Sequence, residues 1–287
     1  MVEAELSLVI VRDVPALRRQ VLSWRAELKT IALVPTMGAL HLGHMALVKR
    51  AQALADVVAV SIFVNPTQFG PNDDFDMYPR EPEADYVLLR DAGVDLLFMP
   101  DMSVMYPKGF LTEVSVPGVG EGLCGDHRPG HFNGVETVVS KLLLQCLPDI
   151  ALFGEKDFQQ LILIKRLAAD LDIPVEVQGV PTVREDDGLA LSSRNAYLSE
   201  SERAIAPLLN RELMSAAEDI ASGADLVARC DQVKSVLLEA GFNDVDYVEA
   251  REAATLEPLQ SSRVEGRLLV AATLGKTRLI DNVQIPR

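Results

Sequence analysis

The stretch Pro35-Thr36-Met37-Gly38-Ala39-Leu40-His41-Leu42-Gly43-His44 sets two imidazoles and two glycines close together. Histidines three apart on an opening helical turn project from one face, so His41 and His44 can both donate to the same anionic group. Gly38 and Gly43 let a ligand approach the main chain closely. An apolar, β-branched run, Ile31–Val34, leads into the stretch, and Leu47, Ala51 and Leu54 follow it at helical spacing. The histidines therefore stand where a strand gives way to a helix. Unpartnered first-turn amides and the positive end of the helix dipole make such a junction attractive to phosphate.

Two further strips carry the same chemistry. Leu191-Ser192-Ser193-Arg194-Asn195 puts two small hydroxyl donors beside a permanently charged planar guanidinium, a set suited to pyrophosphate. Taken alone, a polar turn before the helix at Ser199 explains it as well; its weight comes from the histidine strip. Phe153-Gly154-Glu155-Lys156-Asp157-Phe158-Gln159-Gln160 is again a strand end entering a helix. Lys156 opposes the helix dipole there, a conflict that an anionic ligand removes. The alternative is a solvated lysine balanced by Glu155 and Asp157. The strips Phe63–Phe69, with Asn65 and Gln68, and Arg128–Val135 add neutral amides able to read hydroxyls and carboxylates. All four histidines lie in or near the His41 and Arg128 strips.

The elements that must position these groups alternate. Ser7–Val11 reads as a strand, and Asp13 as the N-cap of a helix with Pro15 in its first turn and Leu17, Val21, Trp24 and Leu28 on one stripe. Val57–Val64 is a continuous apolar run, as in a strand covered on both faces. Glu81–Ala92, Gly134–Leu144 and Lys156–Leu171 read as helices, and Val94–Met99, Ile150–Phe153 and Val175–Val180 as strands. This alternation predicts an α/β fold with a Rossmann-like parallel sheet and helices on both faces. From Ser199 two long helical stretches follow, then strands at Val245–Val248, Arg267–Thr273 and Arg278–Val283, an α+β pattern. The expected division is 1–181 and a smaller C-terminal domain, 182–287. Asn65–Tyr78 is rich in turn formers, and a loop of that length is more often functional than not.

Acidic residues outnumber basic ones 42 to 27, a formal charge of −15. Such a surface repels phosphodiester backbones and argues against a nucleic-acid partner. Positive charge must therefore be concentrated locally for any anionic ligand. Cys124, Cys146 and Cys230 are far apart and form no zinc pattern, which fits reduced thiols in a cytoplasmic protein. Met1–Leu8 lacks the basic start of a signal peptide, and no apolar run reaches the ~20 residues of a membrane helix.

The HxGH string is the signature of the nucleotidyl-transferring superfamily that includes the class I aminoacyl-tRNA synthetases. Together with SIFVNPTQF, YPR at Tyr78–Arg80, RPGHFNGV, FGEKDFQQL and VREDDGLALSSRNAYL, it makes the chain closely resemble the pantothenate synthetase (pantoate–β-alanine ligase) family, from about residue 8 to its last residues. The resemblance implies a Rossmann-like domain for ATP and pantoate, a C-terminal lid and a homodimer. It implies that (R)-pantoate is activated by ATP, with Mg2+, as an acyl-adenylate before joining β-alanine. By position, Met37, Gly38, His41, Gly43, His44, Gly154, Glu155, Lys156, Asp157, Val183, Leu191, Ser192, Ser193 and Arg194 would surround ATP. His44, His41, Lys156 and Arg194 would serve catalysis, His44 as the acid that assists pyrophosphate departure. Gln68, Gln160, Asn65 and Arg128 would hold pantoate, with Gln68 also near β-alanine. No motif names the metal's ligands. Leu42 and Leu143–Leu144 depart from the family pattern without touching these positions. Another HxGH nucleotidyltransferase, or a silent ATP-binding regulator, remains the alternative; neither needs FVNPTQF, FGEKDFQQ, His44 and Lys156 together.

Overall fold

A computed structural model of the chain describes residues 8–71, 73–260 and 264–287. Six strands form one parallel sheet: β1 (Val9–Val11), β2 (Ile31–Thr36), β3 (Val57–Ile62), β4 (Leu96–Phe98), β5 (Ile150–Gly154) and β6 (Glu176–Val180), in the order β1-β4-β3-β2-β5-β6. Ser7, at the start of the predicted first strand, lies outside the described residues. Ile31, Ala32, Leu33 and Val34 of β2 are all essentially inaccessible, as are Val57, Val58, Ala59 and Val60 of β3. Their continuous apolar runs thus reflect burial on both faces. Ala32, Val34, Val58 and Val60 pack with Leu47, Val48 and Ala51 of the Leu42–Gln52 helix. Each valine and leucine among them contributes roughly 1.5–3 kcal/mol when fully buried.

Asp13 caps the Val14–Ala26 helix by accepting the Ala16 N–H at 2.7 Å. Leu17, Val21 and Trp24 face the core, but Leu28 does not continue their stripe. It lies beyond the helix with φ +58° and is 90% exposed. The chain must turn sharply there to enter β2, so local geometry overrides the periodicity. The predicted Gly134 helix extends over His131–Cys146, and the Lys156 helix is a 3-10 turn, Glu155–Asp157, running into Phe158–Asp170.

A second sheet is antiparallel, β7 (Asp244–Glu252), β8 (Gly266–Leu274) and β9 (Thr277–Gln284) in that order. Helices Leu208–Ala221 and Leu226–Glu239 share a core with it that includes Leu213, Val233, Leu237, Leu268 and Val270. The first predicted helix here is divided at Pro207 into Glu200–Ile205 and Leu208–Ala221. Ser199 starts it with a capping box, exchanging hydrogen bonds with Glu202.

The chain divides into two compact units. Unit 1 comprises 1–117, 128–155 and 163–181; unit 2 comprises 118–127, 156–162 and 182–287. No helix among the described residues is long and apolar enough to cross a membrane.

Candidate active site

In unit 1 the chain leaves β2 toward β3 on one side and reaches β5 on the other, so β2 and β5 flank the switch point of the sheet. Open α/β sheets bind ligands at the carboxyl ends of such strands. Met37–His44 leaves β2 there, and Gly154–Glu155 leaves β5 beside it. The turn after β2 is tightly determined. Gly38 and Ala39 both have left-handed backbone, φ +86° and +50°, and a methyl on Gly38 would press on Asp85 and Ile62. Thr36 Oγ1 donates to the Ser61 carbonyl at 2.8 Å and accepts the Gly38 N–H at 3.2 Å.

The buried Asp85, on the Pro82–Asp91 helix, accepts the N–H groups of Ala39 and Leu40. Those two amides are therefore committed within the protein rather than open to a phosphate. Burial raises the Asp85 carboxyl above its ordinary pKa despite the two donors.

His41 is the N-cap of the Leu42–Gln52 helix and His44 its third residue, and the two exchange a capping box. His41 Nδ1 accepts the Gly43 N–H at 3.1 Å, and His44 Nδ1 accepts the His41 N–H at 3.2 Å. Both Nδ1 atoms act as acceptors, so each neutral ring carries its proton on Nε2. The ring centroids are 4.2 Å apart, so the two imidazoles lie side by side as their spacing predicts.

Gln68 ends a 3-10 turn, Pro66–Gln68, capped by Asn65. Asn65 is 1% exposed, and its amide is fully engaged. Nδ2 donates to Gln68 Oε1 and to the Gly134 carbonyl, while Oδ1 accepts from the Thr67 and Tyr106 hydroxyls. The Gln68 carbonyl accepts from His131 Nδ1 at 2.8 Å and from Arg128 Nη2 at 3.3 Å. Since a carbonyl only accepts, His131 is protonated on Nδ1, and its Nε2 accepts from Arg128 at 3.0 Å. Arg128 is also paired with Asp73 at 2.6 Å. Burial by itself would raise the Asp73 carboxyl, but the Arg128 and Gly70 donors hold it below its ordinary value. Gly134, inside the His131–Cys146 helix, lies so near the backbone of Thr67 and Gln68 that a methyl group would overlap it.

In unit 2, Lys156 lies on the Glu155–Asp157 turn, and its carbonyl accepts from Asn282 Nδ2 at 2.9 Å. Its neighbour Gln159 is buried and donates to the carbonyls of Val119, Glu121 and Gly122 while accepting the Cys124 N–H. Gln160 is half-buried on the same helical segment. Val183 and Leu191 come together across a tight turn, with the Leu191 N–H on the Val183 carbonyl at 2.9 Å. Ser192 caps the Ser193–Tyr197 3-10 helix through the Arg194 N–H. Arg203 braces the turn by pairing with Glu185 and Asp187. Among the described residues no group of three His, Cys, Asp or Glu forms a metal site.

Sequence reasoning missed Asp85, Gly134, His131, Asn282 and the Asp281–Arg184 pair. His131, Gly134 and Arg184 lie inside quoted strips. The others act across long sequence separations, where no local spacing marks them.

A doubly wound parallel sheet with a histidine-capped turn at its switch point, and a second unit with a three-stranded antiparallel sheet, define a two-unit α/β protein. A family model described as pantoate-beta-alanine ligase matches residues 9–284. A pantothenate synthetase of Paramagnetospirillum magneticum is 60% identical over 276 residues, 96% of this chain and 97% of that protein. One of Rhodospirillum rubrum is 55% identical over 284 residues, covering 97% and 99%. The crystal structure of pantothenate synthetase from Thermus thermophilus superposes with a TM-score of 0.91 at 45% identity, covering 98% and 100%. That of pantoate-beta-alanine ligase from Francisella tularensis, complexed with beta-gamma ATP and beta-alanine, gives 0.80 at 36%, covering 97% and 98%. The chain belongs to the pantoate–β-alanine ligase family, and is accordingly a ligase that forms an amide bond.

Proposed function

We propose that the enzyme condenses (R)-pantoate with β-alanine in two steps. A pantoate carboxylate oxygen attacks the α-phosphorus of ATP in line, and pyrophosphate leaves. The β-alanine amine then attacks the carbonyl carbon of the mixed anhydride, loses a proton, and AMP leaves with the carboxyl oxygen. The observation that carries this reading is the reciprocal cap of His41 and His44, which commits both Nδ1 atoms as acceptors and leaves the proton of each ring on Nε2. His44 donates to the departing pyrophosphate, and His41 steadies the same phosphates. Two anionic reactants meet, so positioning and charge neutralisation dominate the barrier. Lys156 and Arg194 supply that charge in a chain whose net charge is −15.

Met37, Gly38, Gly43, Gly154, Glu155, Asp157, Val183, Leu191, Ser192 and Ser193 complete the ATP contacts. Gln68 and Gln160 bond pantoate's carboxylate and hydroxyls, and Gln68 also meets β-alanine. Arg128 and Asn65 serve the pantoate side, with Asn65 holding the Gln68 amide from beneath. ATP arrives as its Mg2+ complex, the ion being held chiefly by phosphates and water. The family relationship also supports a cytoplasmic homodimer whose residues 182–287 work as the lid. Product analysis with ATP, pantoate and β-alanine tests the reaction. AMP and pantothenate should form in equal amounts; ADP with phosphate would reject the adenylate route.

A further inference from the structure

Two consecutive buried residues of β9 reach both of unit 2's ligand-facing strips. Successive side chains on a strand point to opposite faces, so one short segment can serve two neighbours. Asp281 is 3% exposed and accepts four donors. Arg184 Nη1 and Nη2 approach at 2.7 and 2.8 Å, Asn210 Nδ2 at 3.1 Å and the Asn282 N–H at 2.7 Å. Arg184 follows Val183 and bridges across to Ala190, so the Asp281 pair fixes the turn that sets Val183 against Leu191.

Asn282 works on the other strip. Its Nδ2 donates to the Lys156 carbonyl at 2.9 Å, and its Oδ1 accepts from Arg267 Nε at 2.6 Å. The Arg267 guanidinium in turn lies over the Phe158 ring, 4.1 Å from its centroid. The Lys156 carbonyl is thus tied to β9, and the Phe158 ring two residues on lies against the guanidinium that Asn282 holds. A lysine side chain is long and rotatable, and its aim depends on how firmly its backbone is fixed.

We infer that Asp281 and Asn282 are positioning residues for adenylation. Asn282 aims Lys156 through its main chain, and Asp281 holds the Val183–Leu191 turn through Arg184. This rests on the reading that both strips meet ATP. A residue that acts only through Lys156 becomes irrelevant once Lys156 is removed, whereas an ordinary scaffold residue keeps its own independent cost.

The test is a double-mutant cycle read by pantoate-dependent exchange of labelled pyrophosphate into ATP, on full-length variants checked by thermal melting. Asn282→Asp keeps the acceptor for Arg267 but turns an oxygen toward the Lys156 carbonyl. It should lower exchange by about 10²-fold, the scale of misplacing a reacting contact by about 1 Å. Lys156→Ala should lower it by about 10²–10³-fold. The double variant should fall within about threefold of Lys156→Ala alone. Asn282→Ser, whose shorter side chain withdraws from both the Lys156 carbonyl and Arg267 without adding charge, runs the same cycle if the aspartate variant does not fold. Asp281→Asn should raise the KM of ATP and leave that of pantoate unchanged.

Near-normal exchange by both Asn282 variants beside an inactive Lys156→Ala, or losses that multiply, would overturn the role of Asn282. An Asp281→Asn enzyme with unaltered ATP KM overturns the role of Asp281. Near-normal exchange by Lys156→Ala removes Lys156 from the site itself, and the Asn282 inference falls with it.

Discussion

The Asp85 carboxylate accepts the Leu40 N–H at 2.7 Å, from 45 residues away in the chain, and thereby sets the turn that delivers His41. Its second oxygen takes the Ala39 N–H at 2.9 Å. Ala39 sits in a left-handed conformation, which costs a non-glycine residue roughly 1–2 kcal/mol and persists only where the surroundings impose it. Asp85→Asn places a donor against one of those amides. Stability should fall by about 1–3 kcal/mol, and pyrophosphate exchange by about tenfold as the imidazoles shift. Urea unfolding and exchange assays measure both; an unchanged variant would mean the turn holds itself.

His44 has two parts that substitution can separate. Its Nδ1 caps the helix, and on the proposed reading its Nε2 donates to pyrophosphate. A side chain that only faced a solvent-filled cleft could be removed at little cost in stability, but the capping box adds a structural cost. His44→Ala should lose about 0.5–2 kcal/mol as well as activity. His44→Asn, whose Oδ1 can still accept the His41 N–H, should keep most of the stability and yet exchange about 10²–10³ times more slowly. If the asparagine variant recovers activity together with stability, His44 is a cap and not an acid.

Gly134 shapes the Gln68 side of the proposed pantoate site through packing. Any β-carbon there displaces Thr67 and Gln68, and overpacking of this kind costs roughly 1–3 kcal/mol. Gly134→Ala and Gln68→Ala should both weaken pantoate binding while ATP binding persists. Calorimetric titration with each substrate decides it; a collapse of ATP affinity with normal pantoate binding would contradict this division of roles.

Glu136 yields a pH prediction. It is 1% exposed, on the His131–Cys146 helix, and accepts the Val116 N–H at 3.0 Å. Burial, helped by the nearby Glu113 charge, lifts its pKa from 4.5 to about 7. Between those values the folded chain holds a proton that the unfolded chain has released, so rising pH favours unfolding across that window. Above about 7 the full cost remains. Glu136→Gln keeps an acceptor for Val116 and cannot ionise. Its melting temperature should therefore gain on that of the parent between pH 4.5 and 7 and hold the gain above it. A difference independent of pH would show that Glu136 does not titrate in this window.

Much of this was legible in the residues because the parallel sheet announces itself locally. Val57–Val64 is apolar without alternation, and strand burial on both faces dictates that pattern. The HxGH and SSR strips stood out because imidazole, hydroxyl and guanidinium groups in short spacing suggest anion chemistry. The amides that the sequence offered to phosphate, however, are taken by Asp85 and the histidine rings. Leu28 misled, since it keeps helical register with Leu17, Val21 and Trp24 yet falls past the point where the chain turns into β2. Asp85, Asp281 and Asn282 were silent for a different reason. Each looks like an ordinary polar residue of a helix or strand until folding brings its distant partner to it.

The central claim is that pantoate's carboxylate is adenylated before any amine attacks. Exchange of labelled pyrophosphate into ATP, measured with ATP and pantoate and with β-alanine withheld, tests it most directly. The account predicts exchange that requires pantoate and falls about 10²–10³-fold when His44 is replaced. The absence of exchange under those conditions, while pantothenate still forms once β-alanine is added, would contradict a freely reversible adenylate on this enzyme.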